Sequence, residues 1–160
     1  MNEPYRVARI LVPIDGSEFS RYAAEVAVRL AVAYGSELLF LHVVDNQVVD
    51  ALAHEHADGE RQVRERLSEQ GHVYLKDVAR LADEYGLAHR ESVEEGDPCA
   101  AICDAAARND VDLIVMGKIG RRGARRILVG SITRGVIECS DRAVLVITGP
   151  PRQPLPPSQD

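Results

Sequence analysis

Tryptophan is absent from the 160-residue chain, and aromatic residues make up only 4% of it. Proteins that bind single-stranded nucleic acid stack bases on aromatic platforms, so that class is disfavoured. A basic excess is missing too: 19 Lys and Arg stand against 25 Asp and Glu, for a net charge of −6. General nucleic-acid or membrane-surface binding wants the opposite balance. No apolar run approaches the ~20 residues of a membrane span, and the N-terminal MNEPYRVARI lacks the apolar core of a secretory signal. Three cysteines cannot all pair within one chain, and nothing suggests export, so they read as reduced thiols of a cytoplasmic protein. The first strand–helix turn, Asp15-Gly16-Ser17, carries no G-x-G-x-x-G, and no G-x-x-x-x-G-K-[ST] occurs anywhere. The S-G-G-x-D-S string of adenylating pyrophosphatases is also absent.

What remains fits one packed domain. The length is close to the common domain size, and 46% hydrophobic residues are enough for a core. The domain is expected over residues 1–149. The tail from 150 to 160, with four of the eight prolines from Pro151 onward, reads as extended or disordered. No internal repeat is apparent.

Apolar runs alternate with helical patterns along the chain. Val7 to Ile14 is a first strand, continuous rather than alternating and therefore suited to cover on both faces. Pro13 is tolerated near its end. Ser17 is placed as the N-cap of a helix with Ala23, Val26, Ala27, Leu30 and Ala31 on one face, ended by Gly35. Glu37 to Val44 is a second buried strand. The connection from Asp45 to Gly59 carries no clear pattern. A long helix is expected from Glu60 to Tyr85, with Leu67, Gly71, Tyr74, Val78, Leu81 and Tyr85 as its stripe and Gly86 at its end. The polar third strand, Ala88 to Val93, suits a sheet edge. Asp97-Pro98 opens another helix, which ends by Asn109. Strands at Val111 to Met116 and Ala143 to Thr148 complete an α/β pattern with a parallel sheet.

The chemistry concentrates in GKIGRRGARRILVGSIT, Gly117 to Thr133. Gly117 and Gly120 open a loop at a strand exit, where backbone N–H groups can approach a ligand that a Cβ would exclude. Nine residues later Gly130-Ser131-Ile132-Thr133 begins a helix, offering unpaired N–H donors, hydroxyls and the positive end of a helix dipole. Phosphate binds such a site. Between Met116 and Ile137 lie Lys118, Arg121, Arg122, Arg125, Arg126 and Arg134, with no acidic residue among them. The other 13 basic residues face all 25 acidic ones, so the rest of the chain carries −12. A local anion site in an acidic protein follows, although individual arginines can equally point to water.

Gly117-x-x-Gly120-x9-Gly130-Ser131 resembles the nucleotide motif of the universal stress protein family, in its ATP-binding branch. Val12-Pro13-Ile14-Asp15 and Leu41-His42-Val43-Val44-Asp45 fit the same pattern, and the likeness spans about residues 7 to 148. The resemblance implies an open, doubly wound, Rossmann-like five-stranded sheet of order 3-2-1-4-5 with helices on both faces. In that order the switch point lies between strands one and four, where Asp15 and Gly117 stand at the carboxyl ends. It also implies an adenine nucleotide, ATP or AMP, with Mg2+ held by the phosphates rather than by protein side chains. The implied contacts are Pro13, Ile14, Asp15 and Val43 near adenine and ribose, then Met116, Gly117, Gly120, Gly130, Ser131, Ile132 and Thr133. A homodimer through the edge strand at 143–148 and an unidentified protein partner complete the implied picture of a regulatory module in stress response. No catalytic residue is assigned.

Two alternatives stand beside this reading: a slow ATPase or autophosphorylating enzyme using Ser131 or Thr133, and an interaction protein whose glycines serve only as turns. Fast hydrolysis needs positioned water and usually a base near the γ-phosphate, whereas Asp15 is expected at the other end of the nucleotide. His42, inside an apolar strand, reads as a hydrogen-bonded core histidine. His54 and His56, with Glu55 or Asp58, lack a third ligand at fixed spacing. Cys99 and Cys103 share a helix face at i, i+4 and, with no matching pair elsewhere, read as small apolar packers.

Overall fold

The computed structural model describes residues 4–56, 59–121 and 128–158. Five parallel strands form one sheet: β1 (Arg9–Pro13), β2 (Glu37–Asp45), β3 (His89–Gly96), β4 (Leu113–Gly117) and β5 (Ala143–Ile147). Their order is β3-β2-β1-β4-β5, the doubly wound arrangement expected. The polar β3 does lie at an edge. There Arg90 pairs with Glu37 at 2.8 Å, and Arg108 pairs with Glu94.

Helices cover both faces. Helix α1 (Glu18–Tyr34) is capped by Ser17, whose side chain accepts from the Ser20 N–H, and ends on Gly35 at φ 70°. Its buried side is Ser20, Ala23, Ala24, Ala27, Val28 and Ala31, small residues that let the helix lie close to the strands. With α3 (Glu60–Glu84) it encloses one core around Ile10, Val12, Leu38, Phe40 and Val115. On the other face α4 (Pro98–Arg108) and α5 (Ser131–Cys139) enclose a second core around Leu11, Leu39, Leu41, Ile114 and Met116. Asp97 caps α4 through the Ala100 N–H, with proline at the first turn as expected. The Asp112 carboxylate, ahead of β4, accepts from the Ala8 and Arg9 N–H groups at 2.7 and 2.9 Å, securing the start of the central strand.

The patternless connection after β2 is a helix, α2 (Asn46–His56). Its start is hidden because strand and cap share a residue: Asp45 ends β2, and its carboxylate accepts from the Gln47 N–H at 2.9 Å. Val49 is buried there in a small cluster with Val44 and Val63, flanked by Leu52 and Leu67. The stripe of α3 is also rotated from the expected one. Val63, Gly71, Leu75, Val78, Ala79 and Ala82 are buried, while Tyr74, Leu81 and Tyr85 pack at the margin. After β5 the described residues form no helix or strand, yet Leu155 packs against the first core and the Tyr85 hydroxyl donates to the Pro156 carbonyl at 2.5 Å.

Gly71 marks where α3 crosses closest to the sheet. A Cβ there would stand 2.2 Å from Cδ2 of His42, and that ring is anchored by its own hydrogen bond to the Ile14 carbonyl. Gly71→Ala gains up to ~1 kcal/mol of helix propensity but meets an overpacking cost of about 1–3 kcal/mol. The variant is expected to be less stable, with a lower urea-unfolding midpoint. Adding His42→Ala should restore part of the loss, and a Gly71→Ala protein as stable as the parent would refute the close packing.

Candidate functional site

The site begins where the central strands part. β1 pairs with β4 only through Ile10–Leu113 and Leu11–Ile114, whereas its pairing with β2 continues to Pro13–Leu41. Pro13, which has no N–H to donate, therefore sits on the side that no longer needs one. Ile14 continues the ladder toward β2, donating to the Leu41 carbonyl at 2.7 Å. On the far side Lys118 donates to the Ile147 carbonyl at 2.8 Å. A crevice opens between the carboxyl ends of β1 and β4.

Side-chain alternation turns three apolar residues of the strand ends to one side of the sheet. Met116 and Val43 belong to the core on the α4–α5 face, and Pro13, two residues after Leu11, points to the same side. Met116 is 5% exposed and Val43 half-buried. Ile14 is buried on the opposite face with the α1–α3 core, so its part in the crevice is its backbone.

The glycines close the loop on itself. A Cβ on Gly117 would lie 2.6 to 2.9 Å from Phe19, including its backbone; the residue is glycine because α1 crosses the end of β4 there. A Cβ on Gly120 would meet Oδ2 of Asp15 at 2.5 Å, and one on Gly130 would lie 3.3 Å from the Ile119 Cα. The Gly130 N–H donates to the Lys118 carbonyl at 2.8 Å, which joins the two ends of the nine-residue spacer. Arg122, Arg125 and Arg126 lie outside the described residues.

α5 starts at that junction. Arg134 makes the first intrahelical bond, to the Gly130 carbonyl at 2.9 Å, so the Ser131, Ile132 and Thr133 N–H groups precede the helical ladder. Gly130, as N-cap, supplies no capping side chain. Ser131 and Ile132 are exposed, whereas Thr133 is 3% exposed and its hydroxyl donates to the Gly117 carbonyl at 2.9 Å. The two hydroxyls expected to face a phosphate thus divide: Ser131 is exposed, and Thr133 fastens α5 to the strand exit.

Asp15 lies between turn and loop. One carboxylate oxygen accepts from the Ser17 N–H at 2.9 Å and the other from the Arg121 N–H at 3.0 Å. Tyr74 and Arg121 add a wall that the motif did not indicate. The Arg121 guanidinium donates to the Tyr74 hydroxyl and lies 5.5 Å from the ring centroid. Behind it Tyr74 fills the space over Gly16, at φ 80°, where a Cβ would come within 2.5 Å of the ring. A depression of about 260 Å³ beside it is lined by Ile14, Ser17, Arg21 and Asp77, among others.

The other candidates resolve differently. Nδ1 of His42 donates to the Ile14 carbonyl at 2.7 Å, and the ring packs edge-on to Tyr74. It is the bonded, packed histidine expected. His54 bonds the Asp50 carbonyl one turn back at 2.9 Å; the side chain of His56 lies outside the described residues. Cys99 and Cys103 are not an isolated pair, because Cys139 at the end of α5 meets both.

The order β3-β2-β1-β4-β5 makes this a doubly wound α/β protein with its switch point between β1 and β4. The universal stress protein family profile matches residues 7–148, and the chain belongs to that family. It is 35% identical over 146 residues to universal stress protein MJ0531 of Methanocaldococcus jannaschii, covering 91% of this chain and 84% of the relative. The solved structure of MJ0577 superposes with a TM-score of 0.73 at 27% identity, covering 88% of this chain and 95% of that one. A universal stress protein crystallised in complex with cAMP superposes at 0.66 with 22% identity, covering 89% and 97%. Among the described residues no helix is long and apolar enough to cross a membrane.

Thr133→Val removes one buried hydrogen bond and is expected to cost about 1–2 kcal/mol, read as a lower urea midpoint. Thr133→Ser should retain most of that stability. Equal stability of Thr133→Val and the parent would remove the fastening role.

Proposed function

We propose that the chain binds an adenine nucleotide, ATP or AMP, in the switch-point crevice and acts as a nucleotide-dependent regulatory module in stress response. The carrying observation is the start of α5: three N–H groups ahead of the helical ladder, with a glycine N-cap that offers no side chain to satisfy them. A phosphate supplies the missing acceptors and the negative charge that the helix dipole favours. Pro13, Val43 and Met116 form the apolar floor for the base, with Ile132 at its rim. Asp15 lies on the ribose side, where its remaining lone pairs can accept hydroxyls. Gly117 and Gly120 hold the loop amides near the phosphates, and Gly130 and Ser131 contact them directly. Mg2+ rides on the phosphates.

Charge-assisted hydrogen bonds contribute about 1.5–3 kcal/mol each, and micromolar affinity needs only about 8 kcal/mol in all. Three such bonds with burial of the base reach that range. The motif spacing favours the same reading, while the likeness to the cAMP complex speaks for the fold.

Calorimetry with magnesium-ATP and magnesium-AMP is expected to show saturable micromolar binding. Gly130→Val, whose side chain presses on Ile119 and Lys118, should weaken it more than about tenfold, a loss of ~1.4 kcal/mol. Isotherms flat to millimolar ligand would end the proposal. Repeated turnover of γ-labelled ATP, lost in Gly130→Val, would replace binding with catalysis.

The chain also pairs with a second copy through β5. Its sequence Ala143 to Ile147 carries no charge, Leu145 is 38% exposed, and Ile137 on the neighbouring α5 is 48% exposed. Unprotected strand edges of this kind pair, and a two-fold axis satisfies both copies at once. Sedimentation at micromolar concentration should give a dimer and Leu145→Lys a monomer; a monomeric parent would count against the interface.

A further inference from the structure

α4 and α5 meet at three sulfurs. Cys99 and Cys103 are one turn apart on the same face of α4, and Cys139 is the last residue of α5. Sγ of Cys139 lies 3.3 Å from Sγ of Cys99 and 2.7 Å from Sγ of Cys103, and all three sulfurs fall within 4.8 Å of one another. The approach is built into the helices: a Cβ on Gly135 would lie 2.8 Å from Sγ of Cys99, so glycine at that position lets the helices close. The cluster is reachable from solvent, since Cys139 is exposed and the other two are half-buried.

From this convergence we propose that Cys99, Cys103 and Cys139 bind a single thiophilic d10 metal ion, Zn2+ or Cu+. Three sulfurs suit either ion. Cu+ is satisfied by three thiolates, and Zn2+ takes a fourth ligand from solvent. No His, Asp or Glu is grouped with the sulfurs among the described residues. At a Zn–S distance near 2.3 Å, tetrahedral sulfurs stand about 3.8 Å apart. The cluster therefore has to spread by roughly an ångström, which Cys139 at a helix terminus allows. The carboxyl end of α5 supplies negative potential that favours a cation.

Packing alone does not account for the arrangement, because exposed Cys139 gains little from burial. A disulfide would employ two sulfurs and leave the third idle. Burial, followed by the neighbouring Cys139 thiol, pushes Cys99 up to about 11 and Cys103 to about 12. Each thiol that coordinates releases its proton to solvent, so no oxidant is required. The site stands apart from the nucleotide reading and does not depend on it.

Reduced, metal-free protein titrated anaerobically with Co2+ should develop sulfur-to-metal charge-transfer absorbance saturating at one equivalent per chain. Zn2+ and Cu+ in separate arms should each displace it and shield all three cysteines from alkylation, read by mass spectrometry. The ion that wins direct competition is the one the site selects. Cys139→Ser and Cys103→Ser should each weaken binding more than about tenfold, while circular dichroism stays that of the folded parent. Absence of uptake by the folded, reduced parent would overturn the site, whether or not the thiols form a disulfide in air. Uptake unchanged in folded Cys139→Ser would overturn it as well.

Discussion

Beyond Leu11 and Ile114 the two central strands stop pairing, and the backbone groups released by that parting need other partners. Much of the local structure answers this need. Ile14 and Lys118 continue the outer ladders to Leu41 and Ile147, while the Thr133 hydroxyl takes up the Gly117 carbonyl and the Gly130 N–H that of Lys118. These bonds set the positions of the loop and the start of α5. The parting of the strands thus lies beside the first turn of α5, ahead of its helical ladder.

The fold was legible wherever chemistry and position coincide locally. Ser17, Gly35, Asp97 and Pro98 announce helix ends by residue type alone, and each occupies that role. The run through Ile10, Leu11 and Val12 is continuous because the strand is covered on both faces. α2 escaped because no loop residue separates it from β2, and Asp45 serves both elements. The face of α3 was misplaced by about one residue because its tyrosines flank the buried row without forming it. Side-chain spacing identifies a broad apolar face but not its centre.

At the candidate site, the glycines of the motif each have a packing reason of their own. Gly117 is small because α1 crosses it, and Gly130 because the loop closes against Ile119. Contacts between distant segments carry no local pattern. The wall of Tyr74 and Arg121, and Cys139 joining the other two thiols, belong to that kind. Pairs separated by 47 and 36 residues become neighbours only through the topology.

The two rims of the sheet are unlike, and this bounds how far copies can add to one another. β3 carries Arg90, Glu91, Glu94 and Glu95, whereas β5 carries no charge. A strand arriving at β3 would strip water from ionic groups, while one arriving at β5 would cover bare hydrocarbon. Growth by strand addition is therefore one-sided. In the dimer proposed through β5, neither copy would have a second uncharged rim to offer, so the pairing would close on itself.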